Sequence, residues 1–576
     1  MSMPKGTRLS DLHEIFVSFE TEKLEGCSVV YFNEKLAEGK SSEDILDAYS
    51  YIVKADSIRP HVQYSVKTFM AERYGGDGIV NNGGGGRCGF DGVWQLKGLG
   101  PNKLVGKNID AGHSDGNLSL EVAIYESIWS EIINASLPFG AIRTVAILDT
   151  GCKYEAQGIP TPRGLLIRQP VVRPAHFIRA TYFKEQQFER LSEDAQRVKS
   201  VITKLIDFLP CASTWTIESS MNERLKLGFF ELAARFAEQF ATARAKNIIH
   251  YNVSASNLSL DGAWLDLSGT RLFTELIGID HEDIVRFNTE HFPAVRSLES
   301  LCYYLSKYSV ITVEDSNHLL EETAKHFAKI YDEQLNLYQV AQAGFPLWIL
   351  RLIIGSSEFL EFAYCLRKLL ALDDFTVNSI TLEGGWRGYE RWTARLFSDL
   401  LSSKTNGATI NLSWLIIDVA ATNQLRSCYN QLFDLALKAA SEQSVDLKNF
   451  YRCMLINVTR LNRSHGVLHD LKIEIENISI STLPNRMAAY QKLSDEAVLA
   501  AKLSLGNEEG RFIPFWLSPS LSIWFDPMSG MFTLQLKNSK SLSIEACVEL
   551  FDCQPDVNIA LDFYGKAWND LNEKTI

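Results

Sequence analysis

Apolar residues recur at helical spacing over 119–135 (SLEVAIYESIWSEIINA), with Glu121, Glu126 and Glu131 at the polar positions, and the run stops before Leu137-Pro138-Phe139-Gly140. A 3.6-residue period ended by Pro and Gly predicts a helix. An alternating apolar stretch at Val93-Trp94-Gln95-Leu96-Lys97 predicts a strand instead, and the short apolar runs at 141–148 and 163–172 predict two more. Residues 222–245 form a long amphipathic helical pattern that runs into Asn247-Ile248-Ile249-His250-Tyr251, an apolar entry to a loop. Helical spacing dominates from 280 to about 505, and 511–551 breaks into short strand-like runs separated by Pro, Ser and Gly. No internal repeat of fixed period is visible. The pattern predicts an α+β chain with an N-terminal extension over 1–60 and a mostly β region over 61–210 carrying one important helix. A mostly helical region over 211–505 and a β-containing segment over 506–576 complete it.

Glycine interrupts this pattern in one place. Eleven of the chain's 36 glycines lie between Gly75 and Gly100, in YGGDGIVNNGGGGRCGFDGVWQLKGLG, just ahead of the predicted strand. Such density excludes a helix and reads as a loop feeding a strand. With 576 residues, 46% hydrophobic and 22% charged, the chain has the composition of a folded protein with a sizeable core. Its formal charge of -13 speaks against general nucleic-acid or anionic-membrane binding, which needs a diffuse cationic surface. The 10 cysteines are dispersed without a CxxC pair, and the closest two, Cys547 and Cys553, lack nearby His at zinc-like spacing. A reduced, cytoplasmic protein is the simplest expectation. The opening MSMPKGTRLSDLHEIF has no apolar core of a secretory signal, and the most apolar later stretch, near 347–354, is broken by Arg351, so no membrane insertion is expected.

Four features in one stretch carry chemistry. The glycine loop, including Gly85, Gly86 and Arg87, offers the close backbone approach and free N–H groups that polyphosphates need. Lys97 follows on the strand, placed like a phosphate-contacting lysine, and Glu126 on the next helix is placed to hold its ammonium. The stretch HYNVSASNLSLDGAWLDLSG then puts Asn257 in a loop and Asp266 after a short β run. An amide oxygen and a carboxylate together suit Mg²⁺ on ATP phosphates. Ordinary alternatives stand beside each: a solvated Lys–Glu pair, a β-turn around Asn257 and Asp261-Gly262, and a core histidine at His250 bonding the loop backbone.

Taken together, the residues resemble the selenoprotein-O proteins, a kinase-like group regarded as pseudokinases that transfer AMP. Leu96-Lys97-Gly98-Leu99-Gly100-Pro101, Asp115-Gly116 and Tyr125-Glu126-Ser127-Ile128-Trp129-Ser130-Glu131 stand against that family's LKGxGPT, DGR and REYLxSEAM. His250, Asn257 and Asp266 match its HGVMNTDN…DYG spacing without a gap, and the similarity spans about 74–269. The resemblance implies a protein-kinase-like two-lobe fold with a large, mostly helical C-terminal extension, holding ATP so that its α-phosphorus faces the acceptor. It implies an ion pair of Lys97 with Glu126, and Mg²⁺ or Mn²⁺ held by Asn257 and Asp266. It also implies two nucleotide-contacting arginines, Arg168 and Arg179, with Arg173 competing for the place of Arg168.

Departures from the family redirect the expected chemistry. The family's Asp immediately before the metal-binding Asn is Ser256 here, the Asn two residues earlier is Ser254, and the closing NDLNEKTI carries no redox cysteine. A serine does not take a proton from a hydroxyl at neutral pH as a carboxylate does. A carboxylate acceptor removes that need, because it is already ionised. Attack on the α-phosphate then gives an acyl-adenylate, chemistry similar to that proposed for the maturation proteins of siderophore-peptide microcins, which work with an acyltransferase-like partner. The expected function is therefore ATP- and Mg²⁺-dependent AMP transfer to a protein or peptide acceptor. A catalytically inactive nucleotide-binding scaffold and a conventional phosphotransferase are the alternatives.

Overall fold

Eight antiparallel strands organise the N-terminal part of the computed structural model, which describes residues 9–53, 65–79, 81–106, 109, 114–180, 191–210, 220–273, 281–371, 389–406, 419–481, 485–506, 510–535, 539–542, 555–565 and 567. The strands are β1 (Phe16–Lys23), β2 (Ser28–Phe32), β3 (Tyr51–Ile52), β4 (Val66–Glu72), β5 (Cys88–Phe90), β6 (Gln95–Lys97), β7 (Thr144–Ala156) and β8 (Ile159–Arg168). Their spatial order is β2-β7-β8-β6-β5-β4-β1-β3. Three of the eight come from the segment that the sequence reads as an N-terminal extension, so that segment is part of the sheet. Its contribution was hidden because β1 takes its register from β4, some fifty residues on, with Phe16 opposite Glu72 and Glu22 opposite Val66.

The pleat assigns side chains to faces. On β6, Leu96 points into an outer core with Phe19, Phe69, Leu165 and Ile167, capped by Ile45 and Tyr49 of the Ser42–Tyr49 helix. That helix starts at a capping box, in which the Ser41 hydroxyl accepts from the Asp44 N–H and the Asp44 carboxylate accepts from the Ser41 N–H. Gln95 and Lys97 therefore take the opposite face, as do Leu166 and Arg168 of β8, whose register sets Lys97 opposite Leu166 and Gln95 opposite Arg168.

This second face meets the Leu120–Ser136 helix, one residue displaced from the expected 119–135. Its Ile124, Ile128 and Ile132 are fully buried, each contributing about 2 kcal/mol of apolar burial. The same core continues through the Met221–Ala245, Phe292–Lys307 and Arg486–Leu505 helices. In Met221–Ala245 the buried Leu225, Phe229, Leu232, Phe236 and Phe240 follow the helical period that the sequence displays, and the Ser220 hydroxyl accepts from the Glu223 N–H at its start.

A second large core joins the end of the Val313–Gln342 helix to Ser357–Ala371, Val419–Glu442 and Leu447–Leu461. It also takes in a four-stranded antiparallel meander of Ile513–Leu517, Ser522–Asp526, Met531–Gln535 and Ser539–Leu542. The helical and C-terminal β patterns of the sequence are thus present, and the chain is α+β with a large antiparallel sheet and many helices. Residues 543–551 of the strand-like run, together with Cys211, Cys547, Cys553 and the closing NDLNEKTI, lie outside the described residues. Among the described residues no helix is long and apolar enough to cross a membrane.

Two strand boundaries differ from the expectation. The run expected at 163–172 is β8 at Ile159–Arg168, and the run expected at 141–148 is β7 at Thr144–Ala156. The two form one long hairpin whose turn residues, Gln157 and Gly158, have φ of +52° and +80°, the left-handed pair that a two-residue turn requires. The distal part of the hairpin is exposed and so lacks the apolar signal. Pro170, lacking an N–H, ends the pairing at the other side.

Candidate functional site

The helix-facing side of the sheet and the loop after residue 249 meet in a buried charged cluster. Lys97 Nζ donates to Glu126 Oε1 at 2.6 Å and to Asp266 Oδ1 at 2.8 Å. Arg168 Nη1 donates to the same Asp266 oxygen at 3.1 Å. Lys97, Glu126 and Arg168 are each no more than 5% exposed, whereas the Asp266 side chain keeps 24% of its surface open. Each partner arrives for a local reason: β6 and β8 are register neighbours, Glu126, expected at a polar position, is instead buried where its helix is enclosed on all sides from Ala123 to Ser130, and Asp266 ends the loop in a left-handed conformation with φ of 59°. Asp is among the few residues that adopt this conformation without glycine's freedom.

Electrostatics follow from this packing. Burial alone would push the Asp266 carboxyl up, but Lys97, Arg168 and Arg173 around it hold it well below the ordinary carboxylate range. Arg168, which burial would discharge, is held charged by Asp266 and by Glu126 and Glu72. Arg173 lies alongside: its Nη1 donates to the Ser256 carbonyl at 3.0 Å and its guanidinium stacks 5.0 Å from the Tyr74 ring centroid. The two arginines that compete for one assignment thus both border Asp266. The Nε–H groups of Arg168 and Arg173 are buried without a hydrogen-bond acceptor, a donor surplus that an anion would satisfy.

The loop itself is held from within. β9 (Ile248–Ile249) and β10 (Arg271–Leu272) close it as an antiparallel pair. His250 accepts the Asn252 N–H on Nδ1 at 3.3 Å, which leaves Nε2–H to donate to the Leu265 carbonyl at 3.1 Å. Burial drives its pKa down to about 4, so it is a neutral core histidine. The Asn257 Nδ2 donates to the Asn252 carbonyl at 2.7 Å, which leaves its Oδ1 with a 3.5 Å contact from Ser256 Oγ. Asp261-Gly262 do form the turn that their types suggest, with Gly262 at φ +96° and the Ser259 hydroxyl accepting from Asp261 and Ala263, and Asn257 closes a separate turn, its N–H donating to the Ser254 carbonyl at 2.9 Å.

Hard oxygen donors, a carboxylate and an amide carbonyl, are the set with which Mg²⁺ is held when phosphates and water complete its shell. Asn257 Oδ1 and the half-open Asp266 carboxylate therefore fit a divalent ion of that kind. Among the described residues there is no group of three or more His, Cys, Asp or Glu side chains that would hold a metal without a ligand's help.

The glycine segment differs from the expectation of free N–H groups. The Gly85 N–H donates to the Glu72 carbonyl at 3.0 Å and the Gly86 N–H to the Gly84 carbonyl at 2.9 Å, while Asn102 Nδ2 donates to the Gly85 carbonyl at 2.6 Å. Gly83 to Gly86 are buried. A Cβ on Gly84, whose φ is +141°, would stand 2.1 Å from the Glu72 carbonyl oxygen, so glycine is required there for close backbone packing. Arg87 Nη1 donates to the Asn117 carbonyl at 3.1 Å. The main chain of Arg179 packs against Gly75, where a Cβ would lie 2.2 Å from its carbonyl carbon.

Sequence reasoning missed Glu290. Its Oε2 accepts the His250 N–H at 3.0 Å and its Oε1 the Tyr251 N–H at 2.5 Å, anchoring the entry of the loop that bears Asn257 and Asp266. Burial raises its pKa to about 7 against the lowering effect of those two N–H groups. A lone acid within the FNTEHF run is its only local mark. Also missed was the buried set behind the cluster, in which Glu72 takes hydrogen bonds from His176 Nε2 at 3.0 Å and Gln95 Nε2 at 2.5 Å. No protein-family model matches the chain, and no curated protein matches it.

Proposed function

We propose that the protein is an ATP- and Mg²⁺-dependent nucleotidyltransferase that moves AMP onto a protein or peptide acceptor. In this reading the antiparallel sheet with the Leu120–Ser136 helix is one lobe of a kinase-like frame and the helical region from residue 221 is the other. The observation that carries it is the convergence of Lys97, Glu126, Arg168 and Asp266, drawn from four separate elements, within hydrogen-bond distance. The protein's share of such chemistry is positioning and charge neutralisation rather than covalent catalysis.

Glu126 fixes Lys97, and Lys97 with Arg168 and Arg173 neutralises the phosphate oxygens. Asn257 and Asp266 would hold the divalent ion, which would supply neutralisation of the phosphate charge. The acceptor oxygen attacks the α-phosphorus, the bond to the bridging oxygen breaks, and pyrophosphate leaves with its electron pair. Ser256 Oγ is paired with Ser254 Oγ at 2.8 Å and supplies no base. That pairing supports a carboxylate acceptor, such as a peptide C-terminus, from which no proton has to be removed. The product is then an acyl-adenylate, suited to delivery to an acyltransferase-like partner.

Incubation with Mg²⁺ and ATP labelled on either the α- or the γ-phosphate tests this reading, with Lys97→Ala as control. Transfer of α-label with pyrophosphate release, lost in the control and reversed by hydroxylamine, is the expected result. Transfer of γ-label makes the protein a kinase. The engagement of Asp266 by two cations favours a second reading, a nucleotide-binding scaffold, which predicts ATP binding with neither label transferred.

A further inference from the structure

Cys365 on the Ser357–Ala371 helix and Cys428 on the Val419–Glu442 helix are 63 residues apart in the chain, and the fold sets their Sγ atoms 3.8 Å apart. We propose that they form a reversible thiol–disulfide couple, oxidised by a small disulfide such as glutathione disulfide, whose closed state braces one helix to the other. This proposal is independent of nucleotide transfer.

The contact belongs to packing that holds both helices in place. Phe362, three residues before Cys365, and Tyr429, next to Cys428, meet with ring centroids 5.6 Å apart and planes at 66°. Phe362, Leu366 and Leu369 of the first helix and Leu425, Tyr429 and Leu432 of the second are buried in the same core. Cys428 is 6% exposed, whereas Cys365 is half-buried beside the exposed Glu361 and Tyr364, so a dissolved reagent reaches the pair from the Cys365 side. A disulfide has its sulfurs about 2 Å apart, so closure asks the two Sγ atoms to approach by about 2 Å. Cys302 and Cys453 give the contrast: both are sealed within the cores, and burial pushes both thiols up, which keeps them unreactive.

Closure is a pair of thiol–disulfide exchanges. The Cys365 thiolate attacks one sulfur of glutathione disulfide, and a glutathione thiolate leaves to give a mixed disulfide. Cys428 then gives up its proton to solvent and attacks the Cys365 sulfur, displacing the second glutathione thiolate. The two protein thiols lose two electrons and two protons, and one glutathione disulfide becomes two glutathione thiols. Burial, and then the neighbouring Cys365, raise the Cys428 thiol to about 11, so the second exchange is the slow one and quickens as pH rises.

The test incubates the folded full chain with about 5 mM glutathione disulfide at mildly alkaline pH, blocks the remaining thiols with N-ethylmaleimide, and maps the peptides without reduction. A peptide linked through Cys365 and Cys428 is the expected product, formed within about a few hours and released by dithiothreitol. Because the link constrains the unfolded chain over 63 residues, the oxidised protein should melt at least about 2 °C above the reduced one. Cys365→Ser and Cys428→Ala should each form no such link and gain nothing from the oxidant, and their melts in reductant establish that both are folded. No reaction at either cysteine, a glutathione adduct that persists on Cys365, a link formed only in denaturant, an unchanged melting temperature in the linked protein, or the same gain in either variant would each overturn the proposal.

Discussion

The glycine-rich segment at 83–86 and the loop from His250 to Asp266 are both marked by the sequence as ligand-holding, yet they are built in opposite ways. The first directs its polar groups inward: its N–H groups bond to Glu72 and Gly84, and its glycines admit backbone atoms that a Cβ would strike. The second is tied down from beneath by His250 and Glu290 and presents Asn257 Oδ1 and a half-open carboxylate at its surface. Glycine density alone therefore signals close packing here, whereas the charged side chains converge beside the second loop.

The largest test of this contrast is Lys97→Met. It leaves Glu126 buried without its cation and Asp266 with one partner fewer, and breaking a buried pair in this way costs about 3–5 kcal/mol. Urea denaturation should show that loss, and label transfer should fall to background. A stability change under about 1 kcal/mol would mean that the cluster is far wetter than its burial implies.

Glu290 probes the anchoring of the second loop. Its carboxyl titrates near 7 when folded, against an ordinary 4.5, so the folded chain holds this proton to higher pH than the unfolded chain does. The stability it contributes is fully present below pH 4.5 and is lost as pH rises through about 7, a total of about 3 kcal/mol. Glu290→Gln, which cannot ionise, should flatten that part of the stability profile measured between pH 5 and 8. An unchanged slope would assign it to other groups.

Periodicity made the elements of the cluster legible in the sequence, whereas the expectation that their charged residues meet came from the resemblance of the motifs to a known family. Lys97 on a strand, Glu126 on a helix and Asp266 after a loop occupy positions that short-range patterns fix to within a residue or two, and the 169 residues between Lys97 and Asp266 close to 2.8 Å. What could not be read depends on pairing across the chain. β1 finds its register on β4, Glu290 meets the His250 N–H from 40 residues away, and the Gly85 N–H is taken by Glu72 from the neighbouring strand. None of these leaves a local signature, because a backbone N–H looks the same in sequence whether it faces a phosphate or a carbonyl.

The finest distinction lies between adjacent glycines. Ala at 84 meets the Glu72 carbonyl in a conformation that only glycine takes readily, so Gly84→Ala should destabilise the fold by about 2–3 kcal/mol. At Gly85 the φ is not positive, and a Cβ would meet first the Cys88 Cβ at 3.2 Å and then Tyr74 at 3.6 Å, contacts that small shifts of side chains relieve. Gly85→Ala should therefore cost about 1 kcal/mol or less and, because its N–H already serves Glu72, change the ATP dissociation constant by no more than about threefold. A tenfold loss of ATP affinity in a variant of normal stability would show that this backbone turns toward phosphate when nucleotide binds. The two loops would then cooperate on one ligand, and the contrast between them would hold only for the unliganded chain.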